Sequence, residues 1–343
     1  MTNLRSGRRG PSMADVAAAA GVSSQTVSRV ANGLTNVDAS TRDRVLVAMG
    51  ELGYQPNSAA RALKTGRFRS IGVIMFTLST FGNMRTLDAI ATASAEAGYS
   101  ITLMPIAVPT QGEVAGAFGR LTQQAVDGIV IIIEAHILDR AHIVLPTGIP
   151  VVIVDSDAGE QYSVVDADQA QGARLATEHL LGLGHTTVFH IAGPTSSFSA
   201  SRRTASWRAT LEEAGAPVPE PLIGDWTVES GYRRGLELAD RPELTAVFAS
   251  NDQMALGVMR ALHERGLDVP RDVSVVGFDD MEEAGAFWPP LTTVHQDFAE
   301  VGRRCIEMLL REIEDHEPGS GTSIVPTTLV LRSSTAPPRA IVR

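Results

Sequence analysis

Cysteine is nearly absent: among 343 residues there is one, Cys305. A lone thiol excludes an internal disulfide framework and a cysteine zinc site, and it fits a reducing compartment. Long apolar runs are missing as well. No stretch reaches the roughly 18 residues that a membrane helix requires, so no transmembrane span is expected. The opening MTNLRSGRRGPS is basic, yet no apolar segment follows it, and the AAAA at 17–20 is too short for a signal-peptide core. These absences predict a cytoplasmic protein with no membrane partner. Heptads are missing from the last residues, RSSTAPPRAIVR, so no coiled-coil tail is expected there. The length is too great for one ordinary domain and predicts two or three.

Positive charge is scarce overall, giving a net charge of −10, but it is concentrated at one end. Residues 1–67 hold nine Arg or Lys against four Asp or Glu, whereas the remainder holds twenty against thirty-five. A basic head on an acidic body points to a polyanion met by the head alone.

The head parses into three short helices. Ser12 followed by Asp15 fits a capping box that opens a helix through Ala19. Gly21 supplies a tight turn, and Ser23 or Ser24 can cap a second helix that ends at Asn32-Gly33. Ser40 and Asp43 repeat the capping signal before VLVAMGEL, whose Val45, Met49 and Leu52 share a face closed by Gly53. Such spacing matches a helix-turn-helix domain, and a small structural bundle would share it. In the second helix Val27 and Val30 turn inward while Gln25 and Arg29 turn out. Gln25 can pair bidentately with adenine and Arg29 with guanine. Ser24, Thr26, Ser28 and Asn32 suit phosphates or single hydrogen bonds.

MADVAAAAGVSSQTVSRVANG, followed by TRDRVLVAMGELGYQPNSAARALKTG, resembles the head of LacI/GalR-family bacterial transcription repressors, and the resemblance continues to about residue 332. It implies that the segment from Asn57 to Lys64 is a hinge helix ordered only on operator DNA. Leu63 would wedge into a central minor-groove step, helped by the small Ala60. The physics agrees, since about eight residues are too few for a stable isolated helix. A leucine wedge costs unstacking energy and returns a bent duplex with more contact. Two-fold pairing of such readers implies a homodimer on double-stranded, pseudo-palindromic operator DNA.

From Ser70 the pattern changes to β-branched runs alternating with stretches of helical period: IGVIMF, ITLMPI, DGIVIII, IPVVIVD and TVFHIAG. TAVFAS, VSVVGFDD and LTTVHQDF form a second series, and Leu329 to Leu331 reads as a late strand. The expected fold is an N-terminal all-α helix-turn-helix domain followed by an α/β two-lobed core of the periplasmic-binding-protein type (type I). The expected boundaries are 1–56 for the DNA-binding domain, 57–69 for hinge and linker, and 70–343 for the core. Within the core the lobes run over about 70–193 and about 194–332, with crossovers between them.

Ligands in open α/β sheets sit beyond the carboxyl ends of strands. Those ends carry Asp155, Asn251, Asp279, Gln296 and Phe298, with Trp226 in GDW. Carboxylates, amides and a guanidinium suit vicinal hydroxyls, and an indole suits the apolar face of a sugar ring. The family resemblance is strongest in AGPTSSFSASRRTASW, SNDQMALG, VVGFDD and PPLTTVHQDF. It makes Asp155, Ser199, Arg203, Trp226, Asn251, Asp279, Gln296 and Phe298 the contacts of a small sugar effector, an inducing glycoside or disaccharide. One departure stands out. Where some members carry a pocket arginine after the second core strand, this chain reads MPIAVPT, and the first strand exits as MFTLSTFGN with Phe76 and Phe81.

An enzyme reading would use Asp279 and Asp280 with Asp252 as a carboxylate site. No histidine clusters with them in sequence, and GPTSSFSAS lacks a nucleophile elbow. Cys305 shares a helix face with Val301 and Met308 or Leu309, the position of a packed thiol. No catalysis, cofactor or metal is expected. A free-standing sugar-binding protein would leave the basic head unexplained.

Overall fold

The computed structural model describes residues 10–31, 34, 36–55, 66–106, 110–132, 148–156, 162–315 and 319–339. The chain divides into two units, Met1–Phe68 and Arg69–Arg343.

The first unit contains α1 (Met13–Ala20), α2 (Ser24–Ala31) and α3 (Ala39–Leu52). The predicted capping box opens α1: Ser12 Oγ accepts from the Asp15 amide at 3.3 Å, and Asp15 Oδ2 accepts from the Ser12 amide at 2.7 Å. Gly21 then reverses the chain at φ 65°, a left-handed conformation that suits glycine. Ser23 caps α2 by accepting from the Thr26 amide at 3.1 Å. The cap of α3 is Asp38 rather than Ser40. Asp38 has extended backbone and accepts from the Thr41 amide at 2.9 Å, while the Ser40 hydroxyl, already inside the helix, donates to the same carboxylate at 2.8 Å. Val16, Val27, Val30, Val45, Ala48 and Met49 form a shared core. Leu52, expected on that face, is exposed at the last turn.

The second unit is built on two six-stranded sheets. The first has the order β11-β5-β4-β3-β1-β2, where β1 is Ser70–Met75, β2 Ser100–Pro105, β3 Gly128–Ile132, β4 Val151–Val154, β5 Ser163–Ala167 and β11 Gly321–Val325. All its strands run parallel. The second has the order β12-β10-β9-β8-β6-β7, with β6 Phe189–Ala192, β7 Leu222–Ile223, β8 Ala246–Ala249, β9 Ser274–Asp279, β10 Thr292–His295 and β12 Thr328–Val330. Only β12 is antiparallel to its neighbour. The described helices are α4 (Phe81–Glu96), α5 (Gln111–Gln123), α6 (Gln169–Gly182), α7 (Phe198–Glu213), α8 (Val228–Ala239), α9 (Asp252–Glu264) and α10 (Phe298–Asp315).

The lobes are not divided near residue 193. β6 pairs with β8 in the second sheet, and α6 buries Ala173, Ala176 and Leu180 against Val276, Phe278 and Val294 of that sheet. The first crossover therefore follows β5. The chain returns after β10, because α10 lays Val301, Cys305, Ile306 and Leu309 on Ile71, Val73 and Val130 of the first sheet, and β11 joins that sheet's edge. It crosses a third time between Val325 and Thr328. Each crossing follows the apolar face of the next element to the sheet that can bury it. The carboxyl ends of β3, β4 and β5 from one sheet and of β8, β9 and β10 from the other converge on one cavity.

Candidate functional site

That cavity is a cleft partly open to solvent. All eight anticipated residues line it: Asp155, Trp226, Asn251, Asp279, Gln296 and Phe298, read from the strand ends and GDW, and Ser199 and Arg203, which the resemblance implied. Sequence reasoning missed Thr80, Asn83, Asp166 and Gln169, which line it too. Phe81 lines the cavity and meets Phe298 edge-on, with ring centroids 6.1 Å apart. Phe76 is not among its described lining residues.

The polar side chains on the second lobe form a closed, directed ring. Arg203 Nε donates to Gln169 Oε1 at 2.8 Å, Gln169 Nε2 donates to Gln296 Oε1 at 3.1 Å, and Gln296 Nε2 donates to Asp279 Oδ1 at 2.7 Å. The ring closes on Arg203, whose Nη2 lies 3.7 Å from Asp279 Oδ1. Arg203 Nη1 also donates to the Ser250 carbonyl, and its guanidinium lies 3.7 Å from the centre of the Phe278 ring. Every link runs from cation towards carboxylate, so each bond polarises the next. Gln169, the first residue of α6, is the piece without a sequence motif. Its place in the ring depends on the crossover that brings α6 beside β10.

Asn251 is largely committed to scaffolding. Its Oδ1 caps α9 by accepting from the Met254 amide at 2.9 Å, and its Nδ2 donates to the Trp226 carbonyl at 3.0 Å. That bond helps hold Trp226 at φ 73°, a region costly for any residue with a Cβ. Asp155 and Asp279 also have positive φ, 58° and 105°. Strain at three of the eight positions marks a site whose surroundings fix its side chains.

Burial raises the pKa of the carboxyls. Asp279 is pushed up to about 6 by burial, against the opposing pull of Arg203 and the Gln296 hydrogen bond. Asp155 is raised by burial against Arg203 and a hydrogen bond from Ser199, and Asp166 by burial and then by Asp155 beside it. Asp155 Oδ1 and Thr80 Oγ1 are buried without a hydrogen-bond partner. Buried polar atoms left in this condition are costly, and a ligand that pairs them recovers the cost.

The carboxylates of the enzyme reading are separated by their partners. Asp252 accepts from Thr293 Oγ1 at 2.5 Å and from the Met281 amide at 2.8 Å, and Asp280 pairs with Arg332 at 2.6 Å and His295 at 3.1 Å. Of the three acids only Asp279 lines the cavity. Cys305 is fully buried on α10.

In the first unit α2 buries Val27 and Val30 and exposes Ser24, Gln25 and Arg29, with Thr26 and Ser28 half-buried. Asn32, Asn57, Ala60 and Leu63 lie outside the described residues.

Comparison with known proteins agrees with both units. Residues 12–57 match the bacterial regulatory proteins of the lacI family, and residues 177–335 match a periplasmic binding protein-like domain. The lactose operon repressor of Escherichia coli K12 is 35% identical over 326 residues, covering 94% of this chain and 90% of that one. The chain belongs to the lacI family.

As a lacI-family member it is a DNA-binding transcriptional repressor with a ligand-binding domain. A lac repressor dimer solved with operator and the anti-inducer ONPF superposes with a TM-score of 0.83 at 34% identity, covering 96% of this chain and all of that one. The regulator CelR of Thermobifida fusca is 36% identical over 341 residues, 95% of this chain and 99% of that one, and a CelR–cellobiose complex gives a TM-score of 0.69 at 32% identity, covering 94% and 99%. The repressor PurR of Haemophilus influenzae strain PittEE is 32% identical over 330 residues, 93% of this chain and 97% of that one. These relatives are regulators, not enzymes.

Proposed function

We propose that this lacI-family repressor binds a pseudo-palindromic operator as a cytoplasmic homodimer and that a small saccharide in the core cavity modulates its affinity for DNA. The observation that carries the saccharide is the cavity itself, where a preformed ring of guanidinium, amides and carboxylate faces an indole and two aromatic rings. Vicinal hydroxyls can donate to one such group while accepting from its neighbour, and the indole suits the apolar face of the ring. The relatives crystallised with ONPF and with cellobiose support the same class.

On the operator, Gln25 and Arg29 read base edges, and Ser24, Thr26, Ser28 and Asn32 hold phosphates or single acceptors. Asn57, Ala60 and Leu63 keep the hinge role that the resemblance assigns. The saccharide draws Asp279, Arg203 and Trp226 of one lobe towards Asp155 and Phe81 of the other, and this closure disfavours the DNA-bound arrangement of the paired subunits. A coupling of about 3 kcal/mol changes operator affinity by about two orders of magnitude.

The division of labour is tested by two substitutions. Arg29→Ala relaxes base preference and leaves saccharide binding intact, whereas Asp279→Asn leaves operator binding intact and removes the saccharide response. Operator titrations on cognate and scrambled duplexes check both. The reverse assignment contradicts the proposal.

A further inference from the structure

Among the described residues that line the cavity the charges do not balance, and the excess sits on one wall. Three of these residues are carboxylates, Asp155, Asp166 and Asp279, and one is a guanidinium, Arg203. Arg203 is drawn into the ring with Asp279, donating besides to Gln169 and to the Ser250 carbonyl. Opposite, Asp155 and Asp166 stand side by side. β4 and β5 run parallel with Val154 beside Val165; Asp155 follows the last residue of β4, and Asp166 is the next residue within β5. Neighbouring strands lie about 4.8 Å apart. Arg203 attracts Asp155 and Ser199 hydrogen-bonds it, while Gln169 hydrogen-bonds Asp166 and Arg202 attracts it from the exposed side of α7. Even so, Asp155 Oδ1 is buried without a partner. Two neighbouring carboxylates removed in part from water resist ionising together, and a cation between them relieves that resistance.

A second unsatisfied group stands on the same wall. Thr80 occupies the N-cap of α4 without making a cap bond, and its hydroxyl is buried and unpartnered. The first turn of a helix favours an electronegative atom. The wall thus asks for a donor of positive charge beside an oxygen that can accept.

We infer that the effector is an amino sugar whose protonated amine lies between Asp155 and Asp166 while a neighbouring ring oxygen accepts from Thr80. This rests on the saccharide reading above and narrows it. A neutral hydroxyl in place of the amine leaves the paired carboxylates uncompensated. A uronate or sugar phosphate adds an anion to a lining with no second guanidinium among its described residues. Acetylation removes the charge that the pair selects. A metal ion is a poorer occupant, because among the described residues no group of three His, Cys, Asp or Glu is placed to hold one.

The test is calorimetric titration of the full chain, near neutral pH, with glucosamine, galactosamine and the β-1,4 glucosamine disaccharide, each against its N-acetylated and neutral counterparts, and with glucuronate. The free amine binds at least about ten-fold more tightly than either counterpart, the increment of one charge-assisted hydrogen bond, and glucuronate does not bind. Asp166→Asn, checked for a native melting profile, reduces that preference to about two-fold or less. Equal or tighter binding of a neutral or N-acetylated form overturns the inference, as does a preference unchanged in Asp166→Asn. Stabilisation by calcium chloride alone, matching that by the amines, overturns it in favour of a metal site. If neutral sugars bind and release operator, this inference fails and the saccharide reading stands; if no saccharide of either kind binds, both fail.

Discussion

Gly193→Ala isolates the contribution of one indole. A Cβ at this position would lie 2.3 Å from Trp226 Cη2 and 2.4 Å from Cζ2, whereas carbon atoms rest at about 3.5–4.0 Å. The ring must therefore retreat by more than about 1 Å. It has little room, since Trp226 is 8% exposed, packs with Ala200 and Met254, and has its carbonyl tied to Asn251. Overpacking of this kind costs about 1–3 kcal/mol. If the cost falls on the ring position, saccharide affinity drops by roughly 5- to 150-fold. Operator affinity without saccharide stays within about two-fold, the two sites being linked only through the ligand. Calorimetry with the best saccharide measures the loss, and a cycle with Trp226→Ala assigns it, because the added methyl has nothing to displace once the indole is gone. Unchanged saccharide affinity in Gly193→Ala, or an equal loss in the Trp226→Ala background, would show that the indole does not contact the saccharide.

Two further predictions concern stability. Ser12→Ala removes the capping box of α1 at a cost of about 1 kcal/mol, which speeds amide exchange in α1 roughly five-fold; unchanged exchange rates would refute the cap's contribution. His190 is buried between Trp207 and Phe248, hydrogen-bonds the Phe248 carbonyl through Nδ1 at 2.9 Å, and is depressed from 6.5 to about 4, chiefly by burial. A depressed histidine favours the neutral form, so its contribution is complete above pH 6.5 and is lost as pH falls towards 4. The stability advantage of wild type over His190→Gln therefore shrinks by about 3 kcal/mol across that window. Urea denaturation at both ends checks it, and a constant difference contradicts it.

Much of the fold is legible because most elements follow a single local rule. α1 announces itself by Ser12 and Asp15, α2 by the spacing of Val27 and Val30, and the central strands by unbroken β-branched runs. The missed strands break that rule for identifiable reasons. β5 carries Asp166 within its run, β7 is two residues long, and β11 lies at a sheet edge where Thr322 and Ile324 are exposed. The division near residue 193 failed because strand order in space is set by which sheet can bury α6 and α10, and local pattern does not encode that choice. The cavity shows the same split. Residues at the ends of β4, β8, β9 and β10 were found, and Ser199 and Arg203 on α7 came from the family resemblance, whereas Gln169 and Asp166 reach the cavity through the crossover and an unrecognised strand, and Thr80 and Asn83 lie at the divergent exit of β1.

In the proposed function the cavity and the DNA-reading helix are thermodynamically linked. Fluorescence anisotropy of a labelled operator, titrated with the full chain in the presence and absence of saturating saccharide, measures that linkage. The predicted result is a shift in operator affinity of about 10²-fold with the saccharide that wild type binds, and no shift in Asp279→Asn. Superimposable isotherms with and without a saccharide that calorimetry shows to be bound contradict it.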